Sequence, residues 1–221
     1  ATLFPAQEWM TCVGRLAFPI FAFMIAEGCY YTSNVKKYML RLFLFAIISE
    51  IPFNLIMGSS VFYPFHQNVL WTFLLGVLSI QIIEKAKKKQ KKWISFFVVC
   101  LVLLMDFLLG TITMVDYNAA GILTVLLFYF FRKKTWISFA AQLVGLYYLN
   151  VVMLGNLYYP VTILGHHFEI AQQSFALLAL IPIWLYRGEQ GYHSKWFKYF
   201  CYAFYPVHLL ILVVIWQWRI R

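Results

Sequence analysis

Long apolar stretches, separated by short polar connections, cover most of the chain. Eight of them approach the 20 or so apolar residues that a helix needs to cross a hydrocarbon core of about 30 Å. They are residues 12–31, 37–57, 68–84, 93–110, 116–131, 136–154, 172–186 and 196–218. Apolar runs of this length without strict alternation are typical of helices, which satisfy their own backbone hydrogen bonds in lipid. The pattern predicts an all-α integral membrane protein, a polytopic bundle of about eight transmembrane helices in a single transmembrane domain, residues 1–221.

The basic residues fall into alternate connections between these stretches. The first, third, fifth and seventh connections carry fifteen of the eighteen Lys and Arg residues, and the connections between them carry none. Alternate connections lie on one side of the membrane, and Lys and Arg favour the cytoplasmic side. The charge pattern therefore predicts a multi-pass protein with its basic loops in the cytoplasm. The Lys-rich segment 85–92 would also suit anionic lipid headgroups.

Composition supports the bilayer as the surroundings of this chain. Of its 221 residues 63% are apolar and 12% are charged, whereas soluble domains average about 45–50% and about 25%. These values exclude a disordered chain and a secreted disulfide scaffold. The formal net charge of +10 comes mainly from the basic connections. No basic surface interleaved with aromatic residues lies outside the predicted spans, so nucleic acid is not an expected partner.

A few polar residues lie inside the predicted spans, where ionisable side chains are costly and by default functional. With the predicted topology, one group falls in the outer half of the bilayer: Arg15, Glu50, Asn54, Asn68, Asp116 and Gln173. His208 falls near mid-depth, and Glu27 and Lys198 near the cytoplasmic end. Pro19, Pro52, Pro182 and Pro206 interrupt four spans. These positions predict a polar cavity that opens outward between bent helices.

Structural interpretations of the same residues stay open. Arg15 could form a buried ion pair with Glu50 or with Asp116 and do no chemistry. Asp106 and Asp116 could be solvated helix ends, which is the interpretation that we favour for Asp106. His208 could be a hydrogen-bonded core residue.

Metal and thiol chemistry are not expected. His166 and His167 are adjacent, and adjacent side chains on a strand or helix point apart, so no metal site is predicted. The four cysteines lack metal or redox spacing and lie in apolar runs, as packing residues do: Cys12, Cys29, Cys100 and Cys201.

Dispersed motifs throughout the chain resemble those of the TraX family of bacterial membrane proteins. They are Gly14 to Phe23, Glu27-Gly28, Tyr38-x-x-Arg41-Leu42, Ser49 to Phe53, Asn68-Val69, Thr72, Gly76, Asp116-Tyr117, Gly121-Ile122 and Lys198-Tyr199 to Leu209. The resemblance implies a protein of the bacterial cytoplasmic (inner) membrane. It also implies a further helix before Ala1, ending in an Asp-His-Ile-Gly-like motif whose His is the expected catalytic base.

The resemblance further implies an acyltransferase that takes an acetyl group from cytoplasmic acetyl-CoA to an acceptor such as a peptide amine or a sugar hydroxyl. Acyl transfer needs a base and donors for an oxyanion. We expect Glu50 or Asp116 to orient the base or the acceptor, with His208 as the second candidate base. Substrate or oxyanion contacts are expected from Arg15, Asn68, Thr72, Gln173 and Tyr205, and coenzyme A phosphate contacts from Lys36, Lys37, Arg41 and Lys198. Glu27 and Asn54 are further polar candidates without an assigned step.

Two other functional classes fit the same residues. A polytopic transporter would use a polar cavity between Pro-containing helices to pass a solute. A non-catalytic assembly factor for pilus proteins or other peptides would need only the cavity. Consumption of acetyl-CoA separates the acyltransferase from both.

Overall fold

The computed structural model describes residues 8–155, 157–163, 166–189, 191 and 194–220. Its helices are α1 Glu8–Tyr31, α2 Val35–Gly58, α3 Val69–Lys89, α4 Lys92–Ile112, α5 Asn118–Phe130, α6 Trp136–Leu146, α7 Leu180–Leu185 and α8 Lys195–Ile220. A π-helical segment, Tyr147–Met153, continues α6, and a 3-10 helix, Gln172–Ala179, precedes α7. Strands β1, Tyr158–Ile163, and β2, His166–Ala171, lie between those two segments.

Helices occupy all eight predicted spans, so the prediction of an all-α polytopic membrane protein is confirmed. Within the described residues, six helical segments are long and apolar enough to cross a membrane. The two others, Asn118–Phe130 and Gln172–Leu185, are shorter apolar helices and coincide with the two shortest predicted stretches. The helices continue through Pro19, Pro52 and Pro206. These prolines therefore leave the carbonyls four residues earlier without a helical donor, but they do not end the spans.

The segment after α6 is a strand pair, although the sequence predicted a loop. β1 pairs with β2 in antiparallel register, from Tyr158 opposite Ala171 to Ile163 opposite His166. The sequence of β1, Tyr-Tyr-Pro-Val-Thr-Ile, is rich in aromatic and β-branched residues that favour a pleated surface. A search for 20-residue apolar runs does not detect strands of six residues, which explains the difference.

Asp106 is wrongly predicted as a solvated helix end. It is 3% exposed, and its Oδ1 accepts a hydrogen bond of 2.7 Å from the hydroxyl of Ser79 on α3. α4 continues past it to Ile112. The short polar side chain of Ser79 provides the donor that a buried carboxyl needs, and a single sequence does not reveal that these two residues face each other.

The short helix α5 forms the centre of the bundle. It packs against α1, α3, α4 and α6, and most of its side chains are buried. Close approach to its neighbours depends on glycine: a Cβ at Gly76 would lie 2.9 Å from Val125, and one at Gly110 would lie 2.5 Å from the Cα of Ala119. Small residues at such positions let membrane helices pack backbone to backbone.

The basic connections meet at one end of the bundle, which we call the basic end. Arg132, after α5, is paired with Glu27 near the end of α1. Lys134 donates to the carbonyl oxygens of Trp184, at 3.0 Å, and of Tyr186 after α7. These contacts place the first, fifth and seventh connections together, as the charge pattern predicted. The side of the membrane on which this end lies remains a prediction. The other end is called the opposite end.

Candidate functional site

The polar residues at the opposite end form a cluster around Asn68. Its side chain caps α3 by accepting from Leu70 N at 3.0 Å, and its amide donates to the carbonyl of Ala46 at 2.9 Å. The same amide contacts Glu50 Oε2, which also accepts from Trp71 Nε1 at 3.0 Å. Asn68 is fully buried, so it fixes Glu50 of α2 against the start of α3. Glu50 Oε1 is buried without a hydrogen-bond partner among the described residues.

The loop before α5 carries Asp116 in a strained backbone. Met114, Tyr117 and Asn118 have φ angles of 51°, 63° and 47°. Residues other than glycine adopt this left-handed region at a cost of about 1–3 kcal/mol each, and such residues concentrate at functional sites. Asp116 Oδ1 accepts from Tyr117 N at 3.1 Å. The surrounding contacts hold the carboxylate in one position despite that cost.

Neighbouring elements hold this loop in place from two sides. Thr72 of α3 donates its hydroxyl to the carbonyl of Asp116 at 2.6 Å. Gly121 packs so closely that a Cβ there would lie 2.6 Å from Thr72 Cγ2 and 3.2 Å from the Asp116 carbonyl. Thr72, predicted as a substrate contact, therefore positions the loop through its backbone.

Arg15 forms neither of the two predicted ion pairs, so the interpretation as an Arg15–Glu50 or Arg15–Asp116 bridge is wrong. Its Nη2 donates to Gln172 Oε1 at 3.1 Å, and its side chain lies close to Tyr117. Arg15 Nε is buried without a partner among the described residues. The hydrogen bond to a neutral amide leaves the positive charge of Arg15 uncompensated by a direct carboxylate contact.

Gln172 connects this cluster to the strand pair. Its Nε2 donates to the hydroxyl of Tyr159 on β1 at 2.5 Å, and its backbone N–H donates to Leu157 O at 2.9 Å. Gln172 is 3% exposed. The side chain that accepts from Arg15 is therefore also the one that anchors β1.

Tyr205 of α8 reaches the same cluster. Its hydroxyl lies close to the backbone of Val69 and within electrostatic range of Asp116 and Glu50. The structure thus brings together four residues predicted at one depth in the membrane, Arg15, Glu50, Asn68 and Asp116, and Tyr205, which was expected as an oxyanion contact.

His66 is a member of the cluster that the sequence did not predict. Its Nε2 lies 3.4 Å from Asp116 Oδ1, and its ring stacks on Phe53 with a centroid distance of 5.5 Å. His66 lies in a connection, outside the predicted spans, so a search for ionisable residues inside membrane segments passes over it. The sequence offered one indication that His66 belongs to the site, because it lies only two residues before the predicted site residue Asn68.

A cavity of about 820 Å³ opens at the basic end, within the size range of small-molecule sites. It is lined by residues of α1, α2, α7 and α8, among them Ile20, Glu27, Tyr38, Arg41 and Tyr202. Neither Tyr38 nor Tyr202 was assigned a role from the sequence, although Tyr202 lies on the same helix face as Tyr205, three residues before it.

Arg41 is the cationic side chain of this cavity. Its Nε donates to the Tyr202 hydroxyl at 3.0 Å, and its guanidinium lies 5.8 Å from the ring centroid of Tyr38 and 5.6 Å from that of Tyr202. The acidic residue in the lining, Glu27, is paired with Arg132. The ion pair offsets the negative charge of Glu27, so the cavity can accept an anionic group beside Arg41.

Stacked aromatic rings lie at the part of α1 between the cluster and the cavity. Phe18 lies in the chain between Arg15 of the cluster and Ile20 of the cavity. Its ring stacks on Tyr117 with a centroid distance of 3.8 Å and on Phe73 at 5.8 Å. Phe18 is 4% exposed, so this aromatic stack lies inside the bundle.

The remaining predicted residues lie outside these contacts. His208 is on the exposed face of α8, stacked on Phe204. Lys36 and Lys37 are exposed on the first turn of α2, and the Lys198 side chain lies outside the described residues.

The two remaining predicted site residues, Asn54 and Gln173, have amide side chains. Asn54 donates to Val61 O at 3.2 Å, which ties α2 to the connection after it. Gln173 has a buried Oε1 without a partner among the described residues.

Metal and thiol groups add nothing further to the site. Among the described residues, no group of three or more His, Cys, Asp or Glu side chains could hold a metal ion. His166 and His167 are consecutive residues of β2. All four cysteines are free.

The bundle, the charged cluster inside it and the cavity at its basic end together define a polytopic helical membrane protein with an intramembrane polar site. The chain belongs to the TraX family: the family model described as "TraX protein" matches residues 2–216. It is also similar to the "Probable fimbrial assembly protein FimC, serogroup H1" of Dichelobacter nodosus. The two are 25% identical over 213 residues, which cover 93% of this chain and 82% of the relative. No solved structure matches this chain.

Proposed function

We propose that this protein is a membrane acetyltransferase that takes acetyl-CoA into the cavity at the basic end and modifies an amine or hydroxyl acceptor at the polar cluster. The main support for this proposal is that the cavity and the polar cluster lie along the same two helices, α2 and α8. Arg41 and Glu50 are nine residues apart on α2, about 14 Å at 1.5 Å per residue. On α8, Tyr202 lines the cavity and Tyr205 reaches the cluster.

The cavity suits the donor because coenzyme A combines phosphates with a long uncharged arm. Arg41 can contact a phosphate through the fork of its guanidinium while its Nε holds Tyr202. The apolar lining between Ile20 and Ile183 suits the uncharged arm. If the basic end faces the cytoplasm, as the charge pattern predicts, the donor enters from the compartment that contains acetyl-CoA.

The cluster suits the chemistry of transfer because it combines carboxylates with donors for an oxyanion. Arg15 and the hydroxyls of Tyr117 and Tyr205 are donors in a partly water-excluded site, where they stabilise developing negative charge more than in water. The buried Oε1 of Glu50 supplies a hydrogen-bond acceptor that can orient an amine or a hydroxyl.

Binding and turnover test the two halves of the proposal separately. Arg41→Ala should weaken coenzyme A binding by about 1.5–3 kcal/mol, the value of a hydrogen bond to a charged group, or about 10- to 150-fold in Kd. Lys88→Ala is the matched control, because Lys88 is exposed on α3 and does not line the cavity. Equal Kd values for the two variants would show that Arg41 does not contribute to coenzyme A binding.

Turnover is measured with radiolabelled acetyl-CoA and two acceptors, a short apolar peptide with a free amino terminus and glucosamine. The full-length protein in nanodiscs should release free thiol and label one acceptor. Glu50→Gln should lower the rate at least about 100-fold. Glu169→Gln, a change at an exposed carboxylate of β2, should leave the rate unchanged. Binding of acetyl-CoA without any transfer would contradict the proposal.

A second candidate is an assembly factor for fimbrial or pilus proteins without catalytic activity, which the name of the Dichelobacter nodosus relative favours. Such a protein would bind the apolar peptide and consume no acetyl-CoA. The same experiment therefore separates the two functions. A transporter, the third class, would move a solute across proteoliposomes without thiol release.

A further inference from the structure

A short backbone pairing holds the segment that carries His66 against the loop that carries Asp116. Gln67 N donates to Met114 O at 3.0 Å, and Asp116 N donates to Gln67 O at 2.9 Å, which makes a parallel bridge between Gln67 and Val115. In this parallel register His66 and Asp116 lie diagonally across the bridge. The main chain therefore brings the two segments together, and the side chains of His66 and Asp116 complete the approach.

The imidazole of His66 is oriented by contacts on two sides. Its face stacks on Phe53 with an interplanar angle of 18°, and Phe53 is itself only 3% exposed. Its Nε2 faces Asp116 Oδ1 at 3.4 Å. This distance is longer than a formed hydrogen bond, and pairs of this kind often tighten only when substrate is bound. With Nε2 toward the carboxylate, Nδ1 lies on the other side of the ring.

Asp116 is held so that it can select the tautomer of His66. Tyr117 N donates to Oδ1 of Asp116, and Thr72 fixes the carbonyl of the same residue. A carboxylate that accepts from Nε2–H keeps the proton on that nitrogen and leaves the lone pair on Nδ1 available as a base. The His66 side chain is 34% exposed, so an acceptor molecule can reach it.

We infer that His66 is the proton acceptor of the transfer reaction and that Asp116 positions it, an inference that rests on the proposed acetyltransferase function. The acceptor nitrogen or oxygen forms a bond to the carbonyl carbon of the thioester, and its proton moves to Nδ1 of His66. The carbon–sulfur bond then breaks, the electron pair leaves with sulfur, and His66 returns the proton to the thiolate. The products are the acetylated acceptor and free coenzyme A.

This inference differs from the assignment made from the sequence, in which a His before Ala1 was the expected base and His208 was the second candidate. His208 lies on the exposed face of α8 and stacks on Phe204 at 5.8 Å. His208 therefore contacts an aromatic ring, whereas His66 contacts both an aromatic ring and a carboxylate. The two histidines are consequently distinguishable by substitution.

The test uses full-length protein in nanodiscs, radiolabelled acetyl-CoA and the two acceptors named above. His66→Ala should lower the rate of transfer about 100-fold or more, with no change in the Kd for coenzyme A. Added imidazole should restore part of the lost rate, because it replaces the missing base, and a purely structural role would show no such rescue. His66→Asn serves as a second variant should the alanine variant fail to fold. His208→Ala should retain the wild-type rate.

Asp116→Asn should lower the rate less than His66→Ala does. Added imidazole should not restore this rate, because the imidazole of His66 is still present and has lost only the carboxylate that positions it. Transfer by the wild type together with near wild-type rates in both His66 variants would overturn this inference and leave the proposed function intact. Loss of activity in His208→Ala but not in His66→Ala would overturn it as well. If the wild type binds acetyl-CoA and transfers nothing, the proposed function fails, and the role of His66 fails with it.

Discussion

Gly121→Ala tests the close packing that holds the Asp116 loop. The added Cβ would lie 2.6 Å from Thr72 Cγ2, 2.9 Å from Tyr117 Cβ and 3.2 Å from the carbonyl oxygen of Asp116. Contacts below 3.0 Å are not tolerated, so α3, the loop or α5 must shift. The loop has little freedom to shift, because two of its residues after Asp116 already have positive φ angles.

The expected magnitude comes from two opposing effects. Overpacking in a tightly packed core costs about 1–3 kcal/mol. Replacing glycine by alanine in a helix gains about 1 kcal/mol. Gly14→Ala isolates the gain, because a Cβ at Gly14 meets nothing within 4 Å. The difference in free energy of unfolding between the two variants should therefore be about 1–3 kcal/mol, with Gly121→Ala the less stable.

The assay is reversible unfolding of the purified protein in mixed micelles with increasing denaturing detergent, followed by circular dichroism. Thr72→Ser removes the methyl group that the new Cβ would meet and keeps the hydroxyl that donates to Asp116. Thr72→Ser should therefore recover part of the stability lost in Gly121→Ala. The reasoning is refuted if Gly121→Ala and Gly14→Ala agree within about 0.5 kcal/mol, the usual scatter of such comparisons.

Two further predictions concern polar contacts inside the bundle. Asn68→Ala should cost about 1–3 kcal/mol more than Asn34→Ala, because both remove an N-cap but only Asn68 also donates to Ala46 O and to the carboxylate of α2; equal unfolding free energies would contradict this. Ser79→Ala should cost about 1–3 kcal/mol by leaving Asp106 without its donor. The double variant Ser79→Ala/Asp106→Leu should be more stable than Ser79→Ala, and a double variant that is less stable would show that the buried carboxyl itself is required.

The helices and the gathering of basic residues at one end could be predicted because a bilayer imposes a simple rule on sequence. Each span needs a long apolar run, and topology selects the connections that carry Lys and Arg. The predicted depth of each residue along its span also placed Glu50, Asn68 and Asp116 at the same level of the membrane. In the structure Glu50 contacts Asn68, and Asp116 lies nearby. Depth does not reveal the direction in which a side chain points, so Arg15 was assigned carboxylate partners that it does not have.

The features that sequence reasoning missed arise from contacts between segments. His66 lies in a connection, and the pairing of Gln67 with Val115 brings that connection to the loop that carries Asp116. The burial of Asp106 depends on Ser79 of another helix. The two strands after α6 are too short, and contain too many polar residues, to be detected by a search for long apolar spans. For His66 and Asp106 the deciding partner is distant in sequence, and no local pattern indicates it.

The shortness of α5 shapes the surface at the basic end. Tyr129, near the end of α5, is hydrogen-bonded to Glu84, whereas α3 continues five residues further to Lys89, about 7.5 Å at 1.5 Å per residue. The lysine-bearing turn between α3 and α4 therefore extends beyond the end of α5. An anion that approaches the basic end from solution meets the field of these lysines as well as that of Arg41. For such a ligand the lysines would set an association rate that falls with ionic strength, and Arg41 would set the time for which the ligand stays bound.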